Sequence, residues 1–257
     1  MEQTHEQKLK KLQSQFNFDI WYAEAWSKKQ GYFSTKIANN LIKLFRSKQM
    51  NVGSVLDICS GSGEFISNMR NVCDDCVGVD NSKAYIEYTK TKYHDVKLVY
   101  VPELYGFDLK RTFNVVTCNR DVVNMFTKFS EWEAFFKTVN KHLVKNGIFA
   151  FDFYTAKKLN GWTDLIYEQD DAVDYISKVY QNNGLCVQNE VYYVKESSIY
   201  YRKTGQIVVE AWFETSRIIE ALKKAGFENI SLLDFNYEPI TDVEGVDRIH
   251  VLCSKKK

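Results

Sequence analysis

Two carboxylates lie 23 residues apart, each at the end of a short apolar run: Asp57 after Val55-Leu56, and Asp80 after Val77-Gly78-Val79. Between them runs Ile58-Cys59-Ser60-Gly61-Ser62-Gly63, followed by a helix-like stretch from Glu64 to Met69. A strand, a Ser/Gly turn and a helix start would aim backbone N–H groups at a nucleotide-like ligand. Gly61 and Gly63 let the backbone turn sharply and approach that ligand without a Cβ in the way. The second carboxylate falls where the next strand of a βαβ unit would deliver it to ribose hydroxyls. The loop lacks both the Gly-x-Gly-x-x-Gly of dinucleotide binders and the Gly-Lys-Ser/Thr of a P-loop.

The run from Asp57 to Gly63 resembles motif I of class I S-adenosylmethionine (SAM)-dependent methyltransferases, Asp-x-Gly-x-Gly-x-Gly, with Cys59 where the first Gly is usual. The resemblance implies SAM as cofactor and S-adenosylhomocysteine (SAH) as product. The backbone of Cys59, Ser60, Gly61 and Gly63 would hold the amino-acid end, with Asp57 bracing the loop and Asp80-Asn81 taking the ribose. Pro102-Glu103-Leu104 stands where the family carries an Asp and an apolar residue. Glu103 would then accept from the adenine amino group and the Leu104 N–H serve a ring nitrogen; an ordinary exposed Glu is the equal alternative. Phe113-Asn114-Val115-Val116 is similar to the family's Phe-Asp-Val-Val strand. Asn119, Arg120, Asp121 and Asn124 leave its carboxyl end, where open α/β sheets host chemistry. Asn119 and Asn124 are the expected contacts with cofactor and substrate. Asp121 reads either as a cap in a surface loop or as a partner for a protonated amine.

The elements that must position these groups follow in order. Phe16 to Phe33 is dense in aromatics, and Tyr22 and Trp26, four apart, would share a helix face. The family often uses such a segment as a lid, although packing is the plainer reading. Ser34 or Thr35 can cap a helix carrying Ile37, Leu41, Leu44 and Phe45. Ser82–Lys92 reads as a crossover helix, Lys97–Val101 as a strand, and Trp132, Phe135, Phe136, Val139 and Leu143 as one helix face. Lys145-Asn146-Gly147 would end that helix, before a strand over Ile148–Phe153. About sixty residues then alternate like β structure before the helix at Ser216–Phe227: strands over Val173–Tyr180, Leu185–Val194, Ile199–Lys203 and Gln206–Phe213, with a Thr204-Gly205 turn between the last two. Ile230–Asn236 and Ile249–Ser254 close the chain as an antiparallel pair.

The expected fold is α/β: a Rossmann-like class I methyltransferase sheet, mostly parallel with a terminal antiparallel hairpin, plus a small antiparallel β insertion. The boundaries read as a helical N-terminal lid over 1–50, a SAM-binding core over 51–154, a substrate-covering insertion over 155–213, and the rest of the core over 214–257. The insertion's place is similar to the antiparallel platform of glycine and amino-sugar N-methyltransferases.

At 257 residues the chain can bury one sizeable core. A formal net charge of +1 gives no global electrostatic case for nucleic acid or membrane. Cys73 and Cys76 form a Cys-x-x-Cys without a second pair to complete a zinc site, so no metal is expected. Free cysteines, no signal peptide and no long apolar segment point to the cytoplasm. His142 reads as structural, and His250 as a residue that could face solvent. An exposed edge of the inserted sheet could pair with a second copy as a homodimer. The expected function is methyl transfer to a small molecule, an amine by slight preference, with Tyr22, Trp26, Asp121, Asn124 and Tyr154 facing the acceptor. The competing functions are an RNA- or tRNA-modifying methyltransferase and a SAM-binding protein without turnover.

Overall fold

A computed structural model describes residues 19–182 and 184–257 of the chain. Residues 1–18, with Phe16 and Phe18 of the aromatic segment, lie outside the described residues, as does Asn183. Asp19 accepts from the Tyr22 N–H at 2.7 Å and so caps α1 (Ile20–Ser47). The expected helix start at Ser34 or Thr35 is not there; both residues lie inside α1, which runs unbroken for 28 residues. Its buried stripe of Tyr22, Ala23, Ala25, Ile37, Ala38, Leu41 and Phe45 spans the helix from end to end. Tertiary packing of that stripe outweighs the local capping preference of Ser and Thr.

The core alternates strand and helix: β1 (Val55–Ile58), α2 (Glu64–Met69), β2 (Cys76–Asp80), α3 (Lys83–Lys92), β3 (Lys97–Tyr100), β4 (Phe113–Cys118), α4 (Phe129–Lys141) and β5 (Leu143–Tyr154). A 3-10 turn at Val122–Met125 links β4 to α4. After the insertion come α6 (Thr215–Lys224), β10 (Phe227–Leu233) and β11 (Arg248–Lys255). The seven strands lie in the order β10-β11-β5-β4-β1-β2-β3, with β1 to β5 parallel and β11 antiparallel to both neighbours. Strand order reverses between β1 and β4, which opens a crevice at their carboxyl ends. Asp57 pairs with Gly78 across β1 and β2, which carries Asp57 and Asp80 to the same sheet edge.

Trp132, Phe135, Phe136 and Val139 are fully buried on one face of α4 against Phe149 and Phe151 of β5, as the helical spacing predicts. The helix stops at Lys141 rather than at Lys145-Asn146-Gly147. The β4–β5 pairing jumps from Phe113↔Leu143 to Val115↔Ile148, so Asn146 (φ 59°) sits in a strand irregularity instead of a helix cap. His142 is structural: its Nε2 accepts from the Leu109 N–H at 3.0 Å, and its Nδ1 meets the Thr138 carbonyl at 2.8 Å. His250 does not face solvent; it is buried against the rings of Phe235 and Tyr237.

The insertion contains α5 (Ala156–Gly161) and a four-stranded antiparallel sheet in the order β6 (Asp164–Glu168), β7 (Val173–Asn182), β8 (Leu185–Lys195), β9 (Tyr201–Glu210). The strand count matches expectation but the strands differ. Ile199–Lys203 and Gln206–Phe213 are parts of one strand running through Thr204-Gly205, and the fourth strand is β6. Gly205 pairs with Val191, and a Cβ there would stand 2.2 Å from the Glu190 carbonyl oxygen. Its glycine serves a close approach between strands rather than a turn.

Gly205→Ala should therefore lower stability by about 1–3 kcal/mol through forced displacement of β8. Urea unfolding that matches wild type would show that β8 and β9 have room to spare.

Candidate functional site

The core and the inserted sheet bound a cavity of about 570 Å³ at the carboxyl ends of β1, β2 and β4. Its floor is the loop after β1, where Cys59 (φ 58°), Gly61 (φ 55°) and Gly63 (φ 85°) are all left-handed. For Cys59 that conformation costs about 1–2 kcal/mol, which a glycine would not incur. The loop is tied down from several sides: the Ser60 N–H donates to the Val79 carbonyl at 3.0 Å, and the Thr89 hydroxyl donates to the Gly61 carbonyl at 3.1 Å. Beyond its chain neighbours, a Cβ at Gly61 would meet no atom of the described residues within 4 Å, although the residue lines the cavity. That open space over a turned backbone is the cradle a nucleoside cofactor needs.

Asp80 is buried; its Oδ2 accepts from the Gly61 N–H and its Oδ1 from the Ser82 N–H, both at 2.8 Å. Asp57 accepts from the Thr117 hydroxyl at 2.7 Å. Asp80 thus takes the loop N–H of Gly61, while Asp57 is held from β4.

The segment after β4 holds two more left-handed residues, Arg120 (φ 70°) and Asp121 (φ 53°). Their N–H groups donate to the two oxygens of the buried Asp152 carboxylate at 2.6 and 3.1 Å. Arg248, from β11, bridges the carboxylates of Asp152 and Asp121. Burial would push Asp152 up, but Arg248 and then His250 hold it below the usual carboxylate range. Just before this turn, Asn119 is 7% exposed and lines the cavity, yet neither its Oδ1 nor its Nδ2 has a partner among the described residues. Buried amides are almost always bonded, so an unpaired one facing a cavity marks a ligand position.

A family model for a methyltransferase domain matches residues 30–232. The chain belongs to the methyltransferase domain family. No curated protein matches it, but solved structures do. A SAM-dependent methyltransferase from Clostridium acetobutylicum ATCC 824 shares 18% identity at a TM-score of 0.80, covering 92% of this chain and 98% of that one. CalS10, an amino pentose methyltransferase from Micromonospora echinaspora solved with SAM bound, shares 16% at 0.73, covering 94% and 98%. The sugar N-methyltransferase KedS8 from Streptoalloteichus sp ATCC 53650 shares 18% at 0.75, covering 91% and 92%. The fold expected from the sequence is the fold observed, and the protein is a SAM-dependent methyltransferase.

Of the site residues expected from sequence, the methyltransferase brings Asp57, Cys59, Ser60, Gly61, Asp80, Asn81, Leu104, Asn119, Trp26, Asp121 and Tyr154 to the cavity wall. Four stand elsewhere. Glu103 is exposed, because Val101 and Leu104 turn inward and leave it on the outside of the bend. Gly63 is the first cap of α2, donating from N–H to the Ser60 carbonyl at 3.1 Å. Tyr22 is fully buried behind the wall, its hydroxyl donating to Glu190 at 2.9 Å. Asn124 is a structural staple: its amide bonds the Tyr154 N–H and carbonyl and the Ala211 carbonyl at 2.9 to 3.1 Å.

Sequence reading missed the wall that the insertion contributes to the methyltransferase, namely Tyr175, Gln188, Glu190, Gln206 and Val208. The signal was present. Antiparallel pairing sets Glu190 opposite both Ser177 and Gln206, so these polar residues share one face of the sheet.

Burial pushes Asp57 up to about 7, against the hydrogen bond from Thr117, and Asp80 up to about 6, against the N–H groups of Ser82 and Gly61. The native state thus keeps protons that the unfolded chain releases above about pH 4. Stability from these groups is complete below that pH and is lost as pH rises through 6 and 7. Relative to Asp57→Asn, wild type should lose up to about 1.4 kcal/mol per pH unit across this window and then level off. Parallel stability curves for the two proteins would rule out the raised Asp57.

Proposed function

We propose that this methyltransferase acts on a small polar molecule, with an amine as the favoured acceptor. One observation carries the reading. Among the described residues lining the cavity stand six acidic side chains (Asp57, Asp80, Asp121, Glu131, Glu168 and Glu190) and one guanidinium, Arg120. Even with Asp121 paired to Arg248 and Glu168 to Lys29 from outside the lining, acids outnumber cations. A wall of that sign draws cations and repels the phosphates of a nucleic acid. The acceptors of CalS10 and KedS8, an amino pentose and a sugar nitrogen, agree with this choice.

In this reading the Ser60-Gly61 backbone holds the amino-acid end of the cofactor, Asp80 and Asn81 its ribose, and Leu104 its adenine. Asn119 offers both halves of its amide between cofactor and acceptor. The cofactor, when bound, supplies an activated methyl group. The chain aligns an acceptor against it and excludes water, with α1 as lid, the inserted sheet as cover, and Trp26 and Tyr154 as apolar walls.

SAH at about a hundred times its dissociation constant should stabilise the protein by about 2.7 kcal/mol. Cys59→Gly, which removes the side chain from a glycine-like backbone, should keep SAH affinity within about tenfold, or 1.4 kcal/mol. Absence of both a stability shift and calorimetric heat would defeat the cofactor assignment.

The acceptor class is tested by methyl-transfer screens of amines, sugars, phenols and total tRNA, each at two salt concentrations. Turnover of small amines with little salt dependence is expected. tRNA labelling that collapses at the higher salt would favour the RNA-modifying alternative. Binding of SAH without turnover of any class would favour a non-catalytic SAM-binding protein.

A further inference from the structure

We propose that Glu190, on the inner face of the inserted sheet, is the residue that selects a cationic acceptor. The proposal rests on the reading of the cavity as a methyl-transfer site. Glu190 lines the cavity and is 8% exposed. Its Oε1 accepts from the Tyr175 hydroxyl at 2.8 Å. Its Oε2 accepts from the Tyr22 hydroxyl and from Gln206 Nε2, each at 2.9 Å. Three polar groups thus converge on its two oxygens.

All three donors are neutral, and the two phenols stay so, since burial and then Glu190 itself push both upward. Among the described residues Glu190 has no ion-pair partner. Asp152 and Glu64, also buried, do: Asp152 meets Arg248, and Glu64 meets Lys92 at 2.7 Å; the buried acids Asp57 and Asp80 on the core side are instead held by the Thr117 hydroxyl and by backbone N–H groups. A buried carboxylate without a counterion is costly, and a cationic ligand would remove that cost.

The surroundings suit the same ligand. Trp26, Tyr85 and Tyr175 line the cavity around Glu190, backed by Tyr22 and Tyr192 at ring separations of 4.8 to 6.4 Å. Aromatic faces around one carboxylate attract ammonium groups. Gln206, 5% exposed, donates through Nε2 to Glu190 and to the Tyr22 hydroxyl, which fixes its amide orientation and leaves Oε1 buried without a partner among the described residues. The wall therefore presents acceptors, and the ligand must bring donors. Asp121, the acid expected from sequence to meet an amine, is already paired with Arg248. Of the two inserted-sheet carboxylates that line the cavity, Glu168 meets Lys29 at 3.4 Å, and Glu190 is the one without an ion-pair partner among the described residues.

The test uses isobutylammonium and isobutanol, which differ in –NH3+ against –OH, titrated by NMR into the SAH-loaded protein. Wild type should prefer the ammonium by about tenfold. Glu190→Gln should abolish the preference and leave SAH affinity within about threefold. Asp121→Asn, which keeps Glu190, should retain the preference. A wild-type ratio near one overturns the proposal, as does a preference that survives Glu190→Gln. A parallel loss of SAH affinity in Glu190→Gln overturns it too, by assigning the carboxylate to the cofactor. If Glu190→Gln does not fold, the wild-type ratio together with Asp121→Asn decides. If SAH does not bind at all, the methyl-transfer reading falls, and the same probes titrated into the protein alone still judge Glu190.

Discussion

The carboxylate of Asp152 fixes how the chain leaves β4, and much of the site follows from that. Arg120 and Asp121 both adopt left-handed backbone, which L-residues other than Asn, Asp and Gly rarely take. Their N–H groups converge on Asp152, and Arg248 supplies the charge that keeps this buried acid ionised. Arg248 arrives on β11, whose antiparallel pairing sets it opposite Tyr154 and sets His250 opposite Asp152. The closing strand of the sheet is thus part of the site's support. Charge-assisted bonds of this kind are about twice as strong as neutral ones, enough to hold two strained residues in place.

The held turn reaches outward in three directions. Asn119 is left facing the cavity with an amide unpaired among the described residues. Arg120 stacks its guanidinium 5.0 Å from Trp26 and 5.2 Å from Phe33, and donates to the Gln30 carbonyl at 3.2 Å, which couples the turn to α1. Asn124, one turn on, ties β5 to the end of β9 through Tyr154 and Ala211. Lid helix, central sheet and insertion therefore meet at one short segment, where a small displacement would be felt by all three.

How much of this was legible follows from the range of each interaction. The loop from Asp57 to Gly63 and the acid at Asp80 were readable because strand, turn and helix are adjacent in sequence and each carries its own signal. Cys59 was seen as a departure from the motif; its left-handed φ gives the reason a glycine is usual there. Helix α1 was misplaced because Ser34 and Thr35 look like caps locally, while its continuity comes from packing along its whole length. Gly205 looked like a turn for the same reason: only the neighbouring strand explains why a Cβ cannot be accommodated. Asn124 and Glu103 illustrate a further limit. Polar residues beside a motif look functional until the backbone groups that claim them, or the bend that turns them outward, are known.

The two halves of the cavity differ in what they can change. On the core side the contacts come largely from backbone held by glycine-like conformations and by Asp80 and Asp152, so substitution there disturbs geometry as well as chemistry. On the insertion side they come from side chains alternating along β7, β8 and β9, whose ladder bonds are made regardless of which side chain points inward. A residue such as Gln188 or Gln206 can be exchanged there without unpicking the sheet. On the proposed reading, methyl donation belongs with the rigid half, and discrimination among acceptors with the half whose side chains can vary at small cost to the fold. On that reading Glu190, which lines the cavity without an ion-pair partner among the described residues, stands on the side of this division that can vary.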